Sequence, residues 1–259
     1  MAGIEKPILG ANPNMETPES VEALGFEIHY ISCPSSTRGE NPNEDSFLIL
    51  ESDDSLVLAV ADGLGGHEDG AVASRHALQR LAAELKKAEN IDAESLMNAI
   101  EKSNRRLSNQ ESNLSTTLVL AHIKQKSLRF YTIGDSLGAL YSEDRKPLYR
   151  TLEHSVGGFG RYAGLDVENR DDNHYLVNAL GDEQYFVQIS PELELKTQDW
   201  VMLATDGFSQ NLGKTVPESS GPNWTDLHSV DDLRFTAQSN QTTDGHPDDI
   251  TVIFARMKS

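Results

Sequence analysis

Short apolar runs separated by polar turns make up most of this chain, and the runs have the length of β-strands. Residues 26–31 alternate between apolar and polar types, which is typical of a strand. Residues 57–61 are continuously apolar, which is typical of a strand buried on both faces. The pattern predicts strands over residues 26–31, 47–50, 57–61, 116–122, 127–133, 137–141, 185–189, 200–204 and 250–255.

Helical periodicity is confined to a few stretches. After Gly70, apolar residues recur at helical spacing for about five turns, at Ala73, Ala77, Leu78, Leu81 and Leu85. A second helix is predicted from about Asp92, which can serve as its N-cap, and a third near residues 231–238. Strands, then two long helices, then further strands predict a layered α/β domain.

Two segments lack a periodic pattern. Residues 1–22 contain Pro7, Pro13 and Pro18 and few large apolar residues, so they are predicted to form a flexible N-terminal lead-in. Residues 156–180 mix glycines with charged side chains and are predicted to form an irregular insertion, which in many proteins acts as a mobile lid over a site. The remainder, residues 23–259, is predicted to form a single domain.

The composition narrows the classes of partner. With 22 basic and 41 acidic side chains in 259 residues the net charge is −19, which argues against nucleic acid and anionic membranes as partners. The single cysteine, Cys33, excludes an internal disulfide and a thiolate metal cluster. There is neither an apolar run of about 18 residues nor a signal-peptide pattern at the start, so a cytoplasmic location is predicted.

Four aspartates lie where an apolar run starts or stops: Asp45, Asp62, Asp206 and Asp249. If their strands are antiparallel neighbours, all four carboxylates reach one edge of the sheets. Carboxylates gathered there would raise one another's pKa values by repulsion, unless cations neutralise them. Mg²⁺ or Mn²⁺, which prefer oxygen ligands, would do so. A single aspartate at such a position is common in turns, whereas four together favour a metal site.

Six short motifs occur in an order that resembles a known family. They are Arg38 with Asn43-Glu44-Asp45-Ser46, Val60-Ala61-Asp62-Gly63-Leu64-Gly65-Gly66, Ser115-Thr116-Thr117, Gly134-Asp135-Ser136, Leu203-Ala204-Thr205-Asp206-Gly207 and Asp248-Asp249-Ile250-Thr251-Val252. Each motif alone is weak evidence for a family. Together, over about residues 26–256, they resemble the metal-dependent protein serine/threonine phosphatases, the PPM or type 2C family, in its bacterial form.

The resemblance implies a fold and a reaction. The implied fold class is α+β with α/β/β/α layers, in which a central antiparallel β-sandwich is flanked by helices and residues 156–180 form a flap. The implied activity is hydrolysis of phosphoserine and phosphothreonine in proteins at a binuclear Mg²⁺ or Mn²⁺ centre. Two such ions can activate a bridging water as the nucleophile without any covalent intermediate.

The resemblance also assigns most of the metal ligands by position. Asp62 would bridge the two ions. Asp206 and Asp249 would complete the coordination of one ion. Glu44 and the backbone carbonyl of Gly63 would bind the other.

Three further residues receive roles from the same resemblance. Asp45 would act in or beside the second ion's shell through water, and Asp135 would be a candidate ligand for a third, weaker ion. Arg38 would hold the substrate phosphate, because its fork-shaped guanidinium can bind two phosphate oxygens. The implied partners are a phosphorylated protein substrate and a cognate Ser/Thr kinase, and the chain is expected to be a monomer.

The sequence departs from the family pattern at several positions. Four residues separate Arg38 from Asn43 where the family usually has two. Asn178 stands in place of a common arginine, and Leu64 in place of a histidine that animal members use near the leaving group. His67 is predicted to be a solvent-side residue at a helix start and not an acid catalyst.

Other functions fit the sequence less well. Residues 134–137 spell the nucleophile block of GDSL esterases, but here the block is mid-chain. The glycines at 158, 160 and 164 follow no strand and precede no lysine-serine pair, which argues against nucleotide binding. The main alternative is a catalytically weak phosphoprotein-binding domain of the same fold, which would show no Mn²⁺-dependent turnover.

Overall fold

The computed structural model describes residues 7–65, 68–109, 114–167, 171–211, 230–243 and 247–258. Two antiparallel β-sheets pack face to face between layers of helices, which confirms the predicted fold class. The strands are β1 (Ile8–Ala11), β2 (Glu19–Ala23), β3 (Phe26–Cys33), β4 (Asp45–Glu51), β5 (Ser55–Leu64), β6 (Ser115–Thr116), β7 (Leu118–Lys124), β8 (Ser127–Ile133), β9 (Leu137–Tyr141), β10 (Pro147–Arg150), β11 (Gln188–Ile189), β12 (Leu193–Glu194), β13 (Trp200–Ala204) and β14 (Ile250–Met257). The helices are α1 (Glu68–Leu85), α2 (Ala93–Ser108), α3 (Val156–Tyr162), α4 (Asp206–Ser209) and α5 (Val230–Thr243).

Each of the two sheets contains strands from separate parts of the sequence. The first sheet has the order β1-β4-β5-β7-β8-β11, with β6 pairing to β5 and β12 to β8. The second has the order β10-β9-β13-β14-β3-β2. Every described pairing of these strands is antiparallel. The second sheet therefore combines strands from the start, the middle and the end of the sequence.

Burial on both faces explains why several strands are apolar without alternation. In β4, Leu48 and Leu50 pack towards α1 and α2, whereas Phe47 and Ile49 pack into the core between the two sheets. A third apolar layer lies on the outer face of the second sheet, where α5 covers it with Leu233 and other side chains. Successive strand residues point to opposite faces, so a strand between two apolar layers needs apolar residues throughout.

The sheet register brings the acidic motifs to one end of the sandwich. Asp45, at the start of β4, is directly opposite Asp62, near the end of β5. In the second sheet, Ala204 at the end of β13 pairs with Val252 near the start of β14. The chain that leaves β13 and the chain that enters β14 therefore lie side by side at this end.

The N-terminal segment differs from the predicted flexible lead-in. Residues 8–11 form β1 at the edge of the first sheet, and residues 19–23 form β2 at the edge of the second. Both strands are only partly buried. An edge strand pairs on one side and is covered less, so its sequence needs fewer large apolar residues and carries a weaker pattern.

The predicted helices are present, and the flap is more regular than expected. Asp92 caps α2 as predicted, because its side chain accepts a hydrogen bond from the Ser95 backbone N–H, and the Ser95 hydroxyl accepts one from the Asp92 backbone N–H. Within the predicted flap, residues 156–162 form α3, which Ser155 caps. The predicted strand at 185–189 is shorter, since only Gln188–Ile189 pairs. Among the described residues, no helix is long and apolar enough to cross a membrane.

The capping box of α2 gives a test of stability that is independent of the acidic end. We expect Asp92→Ala to lower the free energy of unfolding by about 1 kcal/mol, because one exposed helix N–H loses its acceptor. Thermal unfolding should then occur about 2–4 °C lower in circular dichroism. Asp92→Ser is the matched control and should stay near wild type, since serine caps equally well. Equal losses in both variants would contradict the capping role.

Candidate metal centre

Three carboxylates converge at the end of the sandwich. Asp62 from β5, Asp206 at the start of α4 and Asp248 before β14 each place a carboxylate oxygen within 4.8 Å of the others. One of these carboxylates comes from the first sheet, and the other two come from segments that flank strands of the second. Three carboxylate oxygens at this spacing can surround a single hard cation.

Asp45 lies beside this group, held by the second sheet. It is 1% exposed, and its Oδ2 accepts a hydrogen bond from Thr205 Oγ1 at 2.9 Å. Thr205 directly precedes Asp206, so this bond links the first residue of β4 to the turn that presents Asp206. Asp45 therefore lies close to the convergent carboxylates, as the sequence predicted. One of its oxygens is engaged by the neutral Thr205 hydroxyl.

Glu44 and Gly63 approach the same point on α1. A Cβ atom added to Gly70 would lie 2.7 Å from the Gly63 carbonyl oxygen and 2.8 Å from Glu44 Oε1. These two oxygens, predicted to serve one ion, therefore lie together over Gly70. A Cβ at Gly63 would lie 1.9 Å from the Gly70 carbonyl oxygen, so any side chain at either position would separate β5 from the first turn of α1.

Several carboxylate oxygens of the cluster are buried without a donor. Among the described residues, Glu44 Oε1, Asp45 Oδ1 and Asp206 Oδ1 accept no hydrogen bond. Burial raises the pKa of Asp62 well above its usual value, and the neighbouring charges of Asp45 and Asp206 raise it further. Burial, and then the charge of Asp206, raises the pKa of Asp248 to about 6. The site thus holds negative charge that its own donors do not satisfy.

Arg38 supplies positive charge to this cluster. Its guanidinium contacts Glu44 at 2.6 Å, Asp249 at 2.6 Å and Asp248 at 3.2 Å. Burial alone would lower the pKa of Arg38, but these carboxylates outweigh that effect and raise it. The additional residues before Asn43 are accommodated in a turn, where the Asn41 backbone N–H donates to the Arg38 carbonyl at 3.4 Å.

Asp249 was predicted to bind a metal ion, but in the structure its carboxylate is used in hydrogen bonds to other segments. Its Oδ1 accepts hydrogen bonds from the Ser35 backbone N–H at 2.8 Å and from Arg38 Nε at 2.6 Å, and its Oδ2 accepts one from the Glu44 backbone N–H at 2.6 Å. Both oxygens are thus engaged in holding the loop before β4. The structure places Asp248, and not Asp249, with Asp62 and Asp206.

Asp135 lies near the cluster, on the side where the flap begins. It is buried, and burial followed by the charges of Asp206 and Glu153 raises its pKa well above the usual value. Glu153 is bound by Arg150 at 2.6 Å and also by Arg161 on α3. The predicted candidate for a third ion is therefore close to Asp206 and next to the start of the flap.

The comparisons with known proteins agree with this geometry. The sequence model of the family described as "Protein phosphatase 2C" matches residues 34–242. The chain belongs to the protein phosphatase 2C family. The curated serine/threonine phosphatase stp of Listeria monocytogenes is 28% identical over 232 residues, which cover 82% of this chain and 88% of that relative.

Solved phosphatase structures share the fold. The serine/threonine phosphatase of S. agalactiae has a TM-score of 0.74 at 19% identity and covers 90% of this chain and 100% of that chain. The PstP catalytic domain, whose structure was solved in complex with 2 manganese ions, has a TM-score of 0.67 at 23% identity and covers 90% of this chain and 99% of that chain. At these identities the structures establish the phosphatase fold of this chain.

His154 and Asn178 are features of this phosphatase that sequence reasoning did not connect. His154 Nδ1 accepts hydrogen bonds from the Gly134 backbone N–H at 3.2 Å and from Asn178 Nδ2 at 2.8 Å. Burial lowers the pKa of His154, which favours the neutral ring that these two bonds require. Asn178, noted only as a departure from the family, thus links the end of the flap to the turn before Asp135. A sequence pattern could not reveal this contact between distant segments.

Of the other predicted residues, His67 and Gly66 lie outside the described residues.

The Asp-Gly signal at 206–207 has a clear structural cause. A Cβ atom on Gly207 would lie 1.9 Å from the Asp249 carbonyl oxygen, so only glycine lets the turn after β13 pack against the chain that enters β14. This close approach is what brings Asp206 beside Asp248.

The raised pKa of Asp248 predicts a dependence of stability on pH. Its value of about 6 lies above the usual one for aspartate. Between the two values the folded state binds more protons than the unfolded state, so this carboxyl contributes less stability as pH rises. In EDTA, we expect Asp248→Asn to raise Tm by about 2–4 °C at about pH 7.5 and by less at about pH 5.

Differential scanning fluorimetry at both pH values measures this difference. The exposed Asp53→Asn, at the opposite end of β4 and β5, is the matched control and should leave Tm unchanged. An increase for Asp248→Asn that does not vary with pH would contradict the assignment of a raised pKa.

Proposed function

We propose that this chain is a metal-dependent protein phosphatase that hydrolyses phosphoserine and phosphothreonine in protein substrates. The observation that carries the proposal is the convergence of Asp62, Asp206 and Asp248 within 4.8 Å in a chain of the protein phosphatase 2C family. The name of the Listeria relatives, serine/threonine phosphatase, supports the same substrate class.

The donor set fits two hard divalent cations, Mg²⁺ or Mn²⁺. All candidate ligands offer oxygen, and three of their oxygens are buried without a donor among the described residues. Asp62, Asp206 and Asp248 would hold one ion. Asp62, Glu44 and the Gly63 carbonyl would hold the other, with Asp45 acting beside it. The manganese complex of PstP supports a pair of ions.

When bound, such ions neutralise the carboxylates and lower the pKa of water, which supplies a hydroxide nucleophile at neutral pH. The protein's own contribution is to place oxygen ligands from two sheets at one point and to keep them there. Thr205 holds Asp45 through a hydrogen bond of 2.9 Å, and the Thr117 hydroxyl holds the Asp62 backbone N–H at 2.9 Å. Asp45 and Asp62 therefore each have a supporting hydrogen bond of their own.

Arg38 is proposed to bind the phosphate group of the substrate. Its guanidinium already lies at the cluster, 2.6 Å from Glu44, and its fork of N–H donors matches two phosphate oxygens. Asp135, close to Asp206, is proposed to contribute to a third and weaker ion. The proposal extends to a cognate Ser/Thr kinase that phosphorylates the same substrates, and to a monomer acting in the cytoplasm.

Substitution of the convergent aspartates tests the activity. We expect Asp62→Asn and Asp206→Asn each to lower kcat/KM for a phosphothreonine peptide in Mn²⁺ at least about 100-fold, a loss of about 2.7 kcal/mol of transition-state stabilisation. Asp53→Asn, the matched control in the exposed turn between β4 and β5, should retain wild-type turnover. Wild-type rates in both site variants would refute the proposal, and a wild type without Mn²⁺-dependent turnover would support the phosphoprotein-binding alternative.

A second comparison tests which acid of the 248–249 pair binds metal. We expect Asp248→Asn to weaken Mn²⁺ binding about 10-fold or more, because it replaces a charged carboxylate by a neutral amide. Asp249→Asn should chiefly lower thermal stability, since its oxygens hold Ser35, Arg38 and Glu44 in place. Isothermal titration calorimetry gives the Mn²⁺ affinity and thermal unfolding gives the stability. The reverse pattern would restore Asp249 as the ligand.

A further inference from the structure

The segment that joins β1 to β2 crosses the sandwich at its acidic end. We refer to residues 12–18 as the N-terminal strap. On one side, β1 ends with Ala11 opposite Ser46, next to Asp45. On the other side, the Met15 backbone N–H donates to the Ser32 carbonyl at 3.0 Å, near the end of β3. The strap therefore connects the first sheet to the second where the proposed metal ligands lie.

Asn12 attaches the strap to the start of β4 and to α1. Its Nδ2 lies within hydrogen-bond distance of the Asp45 carbonyl at 3.3 Å, Ser46 Oγ at 3.4 Å and Ser74 Oγ at 3.3 Å. Its Oδ1 accepts a hydrogen bond from Arg75 Nη1 at 3.1 Å. The Asn12 backbone has φ of 54°, a left-handed conformation that asparagine tolerates better than most residues.

The next residue of the strap reaches Asp45 by a second route. The Pro13 carbonyl accepts a hydrogen bond from Asn43 Nδ2 at 2.7 Å. Asn43, which is 2% exposed, accepts one in turn from the Asp45 backbone N–H at 2.8 Å on its Oδ1. The Asp45 backbone is thus held on both its carbonyl and its N–H by bonds that lead to the strap.

The proposed centre depends on both sheets being held together at this end. Glu44, Asp45 and Asp62 belong to the first sheet and the loop before it, whereas Asp206 and Asp248 flank strands of the second. Buried carboxylates of the same sign repel, so the metal-free cluster favours separation of the two groups. A covalent connection hydrogen-bonded on both sides opposes that separation.

We propose that the N-terminal strap positions the metal ligands of the first sheet, with Asn12 as its main positioning residue. The inference rests on the proposed function, since it concerns the same centre. The strap lies before residue 34, where the match to the family model begins, so the family assignment does not itself provide this role. Because the strap holds the ligands before any ion arrives, its loss raises the ordering cost of binding and lowers affinity.

The test compares two identical substitutions in the strap of the full-length chain. Asn12→Gly removes the side-chain bonds and tolerates the positive φ. Asn14→Gly, at an exposed position two residues further on, makes the same change in backbone freedom and is the matched control. We expect isothermal titration calorimetry to give a Kd for Mn²⁺ about 3–10-fold higher in Asn12→Gly, and a Kd within about twofold of wild type in Asn14→Gly.

Two further measurements separate positioning from a general loss of stability. At saturating Mn²⁺, kcat for p-nitrophenyl phosphate should stay within about twofold of wild type in Asn12→Gly, because a bound ion restores the ligand arrangement. A purely structural role would instead lower Tm in EDTA and leave the Kd for Mn²⁺ unchanged, and that result overturns the inference.

The outcomes distinguish this inference from the proposed function. If wild type binds Mn²⁺ and Asn12→Gly binds it more weakly, but neither hydrolyses a phosphopeptide, the strap's role stands and the phosphatase proposal fails. If wild type is an active phosphatase and the Kd is equal in Asn12→Gly, the inference alone fails. A wild type that does not bind Mn²⁺ overturns both.

Discussion

Repulsion among buried carboxylates at one end of the sandwich is the constraint on which the rest of this structure depends. Burial raises the pKa values of Asp45, Asp62 and Asp206. Neighbouring carboxylates raise two of them further, since Asp249 and Asp248 act on Asp45, and Asp45 and Asp206 act on Asp62. Such a cluster persists only if the fold supports it from several sides. The two sheets provide that support through their hydrophobic cores and through hydrogen bonds that hold each ligand segment. The apolar interior therefore stabilises an arrangement that is unfavourable by itself.

Residue pattern predicted the elements that lie between two apolar layers and missed those at the margins. The runs at β5 and β13 were recognised because burial on both faces requires apolar residues at every position. The edge strands β1 and β2 were not, because they are half-covered and their pairing depends on distant segments. The α2 cap was predictable from Asp92, since the capping bonds are local to the sequence.

The residues of the candidate site also fall into two groups, those that a local sequence signal identifies and those that depend on contacts between distant segments. Asp62 and Asp206 could be found from an apolar run that ends in Asp-Gly, a signal contained in a few residues. The choice between Asp248 and Asp249 could not be made locally, because neighbouring residues of an extended chain point in opposite directions and the sequence does not give the orientation. The contribution of Gly70 and of Asn12 depends on contacts across the fold, so no local motif reports it.

The placement of Arg38 has a consequence for a protein with a net charge of −19. Without divalent ions, its guanidinium acts as an internal counter-ion that is shared by Glu44, Asp248 and Asp249. Divalent cations entering the cluster would compete with Arg38 for Glu44 and Asp248, whereas Asp249, whose oxygens hold the loop before β4, would keep its bond to Arg38 Nε. The guanidinium would then stay tethered at the site by Asp249, with its other donors released. Capture of metal would thereby create the anion-binding surface that an acidic protein otherwise lacks.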